Sequence, residues 1–397
     1  VKFHKIILYG IISLATIGIS LEFIGCKKKH RHRDEGRSLT IIRPGPDFLG
    51  TTGRRYDFEA SAIGIDDPLV AWDVKGTRQA MGTHVTLELP EGSYDVIARS
   101  SGLEARVHVV VNDKQKYVIS GREIGKLNDL YIVDEAFNTY NITRTDDVGE
   151  SAFDVSSDGK IIVFGYENGS RIFTSYIDGS YRAQAGFIDG KNPRFEPGLM
   201  SIIYTSNSPD PEVHRFDIMT SSDTPLAQSI VCLRNTNICW ASLTNPIPTR
   251  SGNSAWIYFA GREVSAISSQ QVIIKLDPVS LQVTTPNQPA SYDINPTDIN
   301  GDRIIVNAIP RNSGPFEQVM ILETANGILH SVSPIGTSNV SYRNGAFSHD
   351  GTRIAYIERK AGGQKVALKV FNTGTSGEAS VSIGDVPVLE SVRFLPP

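Results

Sequence analysis

The sequence predicts an all-β chain: a six-bladed β-propeller preceded by a smaller β-sandwich. Three observations carry this. Val, Ile, Thr, Tyr and Phe recur in short runs, and no long 3.6-residue period appears after the first 25 residues. Gly 35 and Pro 21 supply many turns. The third is a repeat: the last apolar residue of the strand before each turn is Val155, Phe195, Trp240, Thr297, Phe347 and Phe394, at spacings of 40, 45, 57, 50 and 47. Periods of that length, each with about four short strands, are the signature of propeller blades.

The chain has 397 residues, 40% of them hydrophobic and 21% charged, ample for packed cores in two or three domains. Its net charge of −4 excludes the basic domain expected of a nucleic-acid binder, so no such partner is expected.

Residues 1–25 read as a leader. Lys2 and Lys5 precede an apolar run, residues 6–19, as in a secretory signal. Glu22 opposes a spanning helix, where a carboxylate is costly. The segment Phe23-Ile24-Gly25-Cys26 resembles a bacterial lipobox of the looser kind found in spirochaetes. The resemblance implies lipidation at Cys26 and a membrane anchor in the cell envelope, on the outer membrane. Residues 26–38 contain KKKHRHRDEGR, a charge-dense tether with no apolar side chain to bury. Two histidines there, His30 and His32, make at best a weak metal site.

Residues 39–111 read as the sandwich. Tyr56, Phe58 and Ala60 share one strand face, and strands at 85–89 and 94–98 alternate in the same way. Trp72 supplies a large core aromatic. The Trp72-Asp73 and Gly92-Ser93-Tyr94-Asp95-Val96 positions resemble an immunoglobulin-like domain of the polycystic-kidney-disease type, which implies a spacer or adhesion module.

Residues 116–397 read as the propeller. Its first turns are Asp158-Gly159, Pro197-Gly198, Asn300-Gly301 and Asp350-Gly351, and the third repeat carries a longer 245–253 insertion instead. Asp-Gly and Asn-Gly predict two-residue hairpins with φ > 0 at both central residues. The second strands are apolar on both faces, as stacking between neighbouring sheets requires. The last repeat has only its first strand, so the sixth blade is split between 116–148 and 391–397, with residues 391–394 pairing with 117–120. Residues 129–134 followed by Asp158-Gly159-Lys160 resemble the TolB-type (WD40-like, PD40) six-bladed propeller, which implies that fold and leaves activity open.

No catalytic signature stands out. Gly-x-Ser-x-Gly and His-Glu-x-x-His are absent, and outside the tether the histidines are scattered singly. No catalytic residue, cofactor or metal is therefore expected. Cys232 and Cys239 either form a disulfide, which an exported chain permits, or stand as two buried thiols at the start of the third blade. The links between second and third strands, at 166–170, 206–212, 261–270, 310–316 and 359–364, are long and mutually unlike. Long unlike loops on a rigid scaffold are where binding usually resides. Arg262, Arg311, Phe316 and Arg359 lie in them, of types enriched at interfaces. The expected function is a lipid-anchored envelope protein that presents this face to a protein or glycan. The alternatives are an envelope enzyme acting on a polysaccharide at the propeller channel, favoured by a mouth lined with carboxylates and aromatics, and a surface adhesin.

Overall fold

A computed structural model describes residues 36–396, apart from 46, 67, 124, 137, 146–147, 167–170, 181, 186–187, 235, 237, 252–253, 265–269, 312–315, 361–365, 376 and 382–387. The leader, Cys26, His30 and His32 lie outside these residues.

The described chain is strands and connections, with no helix. Its N-terminal part holds two sheets. One contains Ser38–Arg43, Arg55–Ile63 and His84–Glu88, and the other has Gly92–Ser100 and Leu103–Asn112 at its centre. The alternation read from the sequence packs Phe58, Ala60, Trp72, Leu87, Val96 and Val109 into one core between them. Burial of Trp72 satisfies its indole N–H, which donates to Gly82 O at 2.8 Å.

From residue 116 onward the described residues form six sheets of four or five strands. The first strands are Glu150–Val155, Gly190–Phe195, Cys239–Ser251, Tyr292–Asn300, Val340–Phe347 and Val388–Phe394. Each touches the first strand of the next sheet, and the last touches the first, so they surround a common axis. This is a β-propeller. The sheet of Val388–Phe394 is completed by Lys116–Arg122, with Val392 opposite Ile119 and Phe394 opposite Tyr117. The two ends of the propeller segment thus pair inside one sheet and leave no open edge there.

Second strands show why the ring holds. In Ile161–Tyr166, Ile162 and Phe164 enter the core shared with one neighbouring sheet, while Val163 enters the core shared with the other. Ile304 and Val306 against Ile305, and Ile354 and Tyr356 against Ala355, divide in the same way. Each adjacent pair of sheets shares one apolar cluster. Burying each such side chain contributes about 1.5–3 kcal/mol.

Two expectations are corrected. First, both central residues of the Asp-Gly turns were expected at φ > 0, but only the glycines are there, Gly159 at 67° and Gly351 at 68°. The reason is side-chain capping of a longer turn. Ser156 Oγ donates to Asp158 Oδ1 at 2.7 Å and accepts from Ile161 N at 2.9 Å. Ser348, Asp350 and Arg353 repeat the arrangement. Second, the 245–253 stretch is not an insertion apart from the strands: its described residues, 245–251, lengthen a hairpin between Cys239–Ser251 and Ser254–Glu263, in which Pro248 stands opposite Ile257. Trp240 opens that strand rather than ending it, and Ile299 rather than Thr297 pairs at the turn end of the fourth. Proline is tolerated at 193, 248 and 296 because each first strand is the channel-side edge of the regular sheet ladder.

Candidate functional site: the channel and its open face

A propeller has two faces. One carries the turns after first and third strands; the other carries the links after second strands and between sheets. The N-terminal domain sits on the turn face. Arg43 Nε donates to Asp178 Oδ2 at 2.9 Å, and its guanidinium lies 4.0 Å from the centroid of the Tyr176 ring. Asp178 O also accepts Gly45 N at 3.0 Å and the Tyr140 hydroxyl at 2.7 Å. Asn112 Nδ2 reaches Asp134 Oδ2 at 2.7 Å, and Leu49 joins the apolar cluster of Leu130, Ile132 and Phe164. Asp47 also lies 3.7 Å from Arg144, in the link between Thr139–Asn141 and Glu150–Val155.

Every first strand has a β-bulge. A bulge re-aims side chains, and here charged and amide groups turn towards the axis. Successive sheets place Asp154, Arg194, Ile247, Asp298, Ala346 and Arg393 opposite the middle of their second strands. Arg194 and Arg393 divide the channel into two chambers, because both line both.

The chamber towards the turn face is about 460 Å³ and holds the acids Asp154, Asp158, Glu196 and Asp298. Each acid is engaged. Asp154 Oδ2 accepts Phe195 N at 3.0 Å, and its Oδ1 is 3.4 Å from Arg393 Nε. Asp298 accepts Phe347 N at 2.7 Å and Ile299 N at 2.9 Å. Burial pushes the Asp298 carboxyl up, against the pull of Arg393. Glu196 is bound in a fork by Arg215, at 2.8 and 2.6 Å. Asp158 caps its turn.

The chamber towards the link face is about 210 Å³. Asn192, Asn245 and Asn344 line it, all with φ between 51° and 57°, a conformation that asparagine tolerates better than most residues. Ser151, Thr297, Ser391 and Glu390 complete its polar wall. Arg393 is locked by its own donors, Nη1 to Val392 O at 2.8 Å and Nη2 to Thr297 O at 3.0 Å. Arg194 is bound only at Nη1, to Phe153 O, and its buried Nε has no partner. Burial, with Arg393 beside it, pulls the Arg194 guanidinium down to about 10.

The four link-face residues form two pairs. Arg262 Nη2 donates to Gln271 Oε1 at 3.4 Å, Gln271 N donates to Asp293 Oδ1 at 2.9 Å, and Arg311 Nε lies 3.8 Å from the same oxygen. Phe316 and Arg359 line one groove of about 380 Å³ with Arg343 and Lys360. Glu390 joins that groove to the channel: it lies 2.9 Å from Arg343 and 3.9 Å from Arg359 and also lines the inner chamber. Cys232 and Cys239 are disulfide-bonded in an added hairpin on this face, where Ile230 and Ile238 are exposed. The middles of four links fall outside the described residues. Sequence reasoning missed the channel ring, although a signal existed. Asp154, Arg194 and Arg393 each precede an aligned apolar residue, Val155, Phe195 and Phe394.

No protein-family model matches the chain, and no curated protein matches it in sequence. Its fold resembles solved structures. A chain of a nidogen/laminin complex aligns with TM-score 0.51 and 8% identity over 70% of this chain and 98% of that one. A chain of Kuenenia stuttgartiensis hydrazine synthase aligns with TM-score 0.52 and 13% identity, over 71% of this chain and 47% of its own length. A protein described as TolB from Agrobacterium tumefaciens aligns at 0.49 and 10% identity, over 71% of this chain and 99% of that one. At such identities the likeness concerns the fold alone, a β-propeller.

Proposed function

We propose that the protein is a lipid-anchored binding scaffold of the bacterial cell envelope, on the outer membrane. In this reading Cys26 carries the lipid and residues 26–38 form the tether. An immunoglobulin-like spacer then holds a six-bladed, TolB-like propeller whose link face takes a protein partner. The spacer reading is supported by Tyr94, whose hydroxyl donates to Pro90 O at 2.6 Å, a tyrosine tied back to the chain just upstream.

One observation carries the proposal. The N-terminal domain occupies the turn face through Arg43 and Asp178, so the opposite face, with Arg262, Arg311, Phe316 and Arg359 around the channel mouth, is the one presented. Replacing Arg262, Arg311 and Arg359 together by Ala tests it. Partner capture from crosslinked envelopes falls at least tenfold while the melting temperature stays within about 2 °C, since exposed charges contribute little stability. Undiminished capture contradicts the reading. Cys26→Ser tests the anchor: palmitate labelling is lost.

A second reading, an envelope enzyme acting on a polysaccharide, is favoured by the four acids and by Phe195, Phe347 and Phe394 around the larger chamber. Against it, each acid already caps a turn, binds backbone or pairs with arginine, which leaves no free acid–base pair. Polysaccharide cleavage that disappears in Asp154→Asn would establish it.

A further inference from the structure

We propose that the smaller channel chamber is a carboxylate site that receives an acidic side chain of a protein partner through the link face, with Arg194 as the receiving group. This rests on the link-face reading above and adds the chemistry recognised at its centre.

The two chambers share Arg194 and Arg393 but differ in countercharge. On the turn side the guanidiniums meet Asp154 and Asp298, acids committed to the backbone N–H groups of Phe195 and Phe347. On the link side the only acid among the described lining residues is Glu390, which Arg343 already neutralises at 2.9 Å. That chamber is therefore cationic. Each nitrogen of Arg393 already faces a partner, Val392 O, Thr297 O or Asp154. Arg194 differs: among the described residues its one hydrogen-bond acceptor is Phe153 O, at Nη1. A carboxylate is the acceptor that a guanidinium fork fits best.

The remaining wall suits a side chain. Asn192, Asn245 and Asn344 carry amides around the axis, and Ser151 and Ser391 add hydroxyls. Several amides already bond one another: Asn245 Nδ2 donates to Asn295 Oδ1 at 2.7 Å, and Asn307 Nδ2 to Asn344 Oδ1 at 3.3 Å. The rim is thereby held in place before a ligand arrives, which reduces the cost of ordering it. At about 210 Å³ the chamber is smaller than the roughly 300–1,000 Å³ of small-molecule pockets. Phe153 is its only aromatic, and that ring is buried in an intersheet core, so a sugar finds no ring face to lie on. Both points favour a single acidic side chain over a uronic-acid sugar.

The test is a ligand-observed NMR titration of the full-length protein at low ionic strength. The probes are the blocked tripeptides Gly-Asp-Gly and Gly-Asn-Gly, and glucuronic acid. The aspartyl peptide is expected to bind at least tenfold more tightly than the asparaginyl one, as a charge-assisted pair requires. Arg194→Gln should abolish that difference. Asn192→Gly, which keeps the left-handed backbone and removes one amide, should weaken the aspartyl peptide several-fold, and it decides the matter if Arg194→Gln fails to fold. The double Ala variant at Arg262 and Arg311, neither of which pairs with Glu390, should bind the probe as wild type does. A failed link-face reading would thus show in partner capture, and a failed chamber reading in the probe. Equal binding of the two peptides, or an unchanged difference in both pocket variants, overturns the proposal. Tighter binding of glucuronic acid than of the aspartyl peptide overturns it in favour of a glycan.

Discussion

The two faces of the propeller are made by the same repeat and have become different objects. On the turn face the chain uses one device twice, a serine and an aspartate capping a turn that ends in a glycine with φ near 67°. Such turns cannot vary much, because the glycine alone takes that backbone without strain and the capping oxygens must keep their places. The N-terminal domain is docked on this regular face. On the link face no common device fixes length or composition, and there the chain places its arginine pairs, a disulfide-bonded hairpin and an amide-lined chamber. Regular turn chemistry here builds an internal joint, while the other side is free of that constraint and is the one proposed for binding.

The largest effect should come from opening the ring that both faces share. Deleting residues 391–397 removes Val392 and Phe394, both buried, and the residues that pair with Tyr117–Ser120 on that edge. At about 1.5–3 kcal/mol for each apolar side chain, the loss should be about 3–6 kcal/mol, read as a lower urea midpoint. An unchanged midpoint would mean that the pairing of the chain ends does not hold the ring.

A smaller effect sharpens the role of the turn face as a joint. Arg43→Ala removes the bond to Asp178 and the packing on Tyr176. It should cost about 1.5–3 kcal/mol and let the N-terminal domain melt in its own calorimetric transition ahead of the propeller. A single unshifted transition would show that the contacts at Gly45, Leu49 and Asn112 couple the domains without Arg43.

The smallest effect concerns the capped turns themselves. Hydrogen bonds from the Ser348 hydroxyl and from Thr352 hold the Asp350 carboxyl down at about 2, against 3.8 in the unfolded chain. The unfolded state therefore takes up its proton first on acidification. The turn's contribution is complete above about pH 4 and is lost as pH falls towards 2. Asp350→Asn should flatten that part of the stability–pH curve by less than about 1 kcal/mol, because the group is largely exposed. An unaltered curve would remove Asp350 from the acid response.

Much of the architecture was legible in the sequence, and the parts that were not share a cause. Strand runs such as Ile304-Ile305-Val306 announce burial on two sides through composition alone, so the sheets and their stacking could be read directly. The register of first strands could not. A bulge adds a residue without changing the apolar pattern, so Trp240 looked like the end of its strand and Thr297 stood in for Ile299. The channel ring depends on that register. Arg194 and Asp298 are ordinary charged residues until the bulges turn them to one axis. The docking of Arg43 on Asp178 joins residues 135 positions apart, and no local pattern marks either one.

The central claim, that the link face is the binding face, is tested most directly by photo-crosslinking in intact cells. A photoreactive residue is placed in turn at Arg262, Arg311, Phe316 and Arg359 on the link face, and at Asp158 and Asp350 on the turn face. The account predicts one discrete crosslinked partner from link-face positions and none from the two turns. The same partner captured from Asp158 or Asp350, with the link-face positions silent, would contradict it.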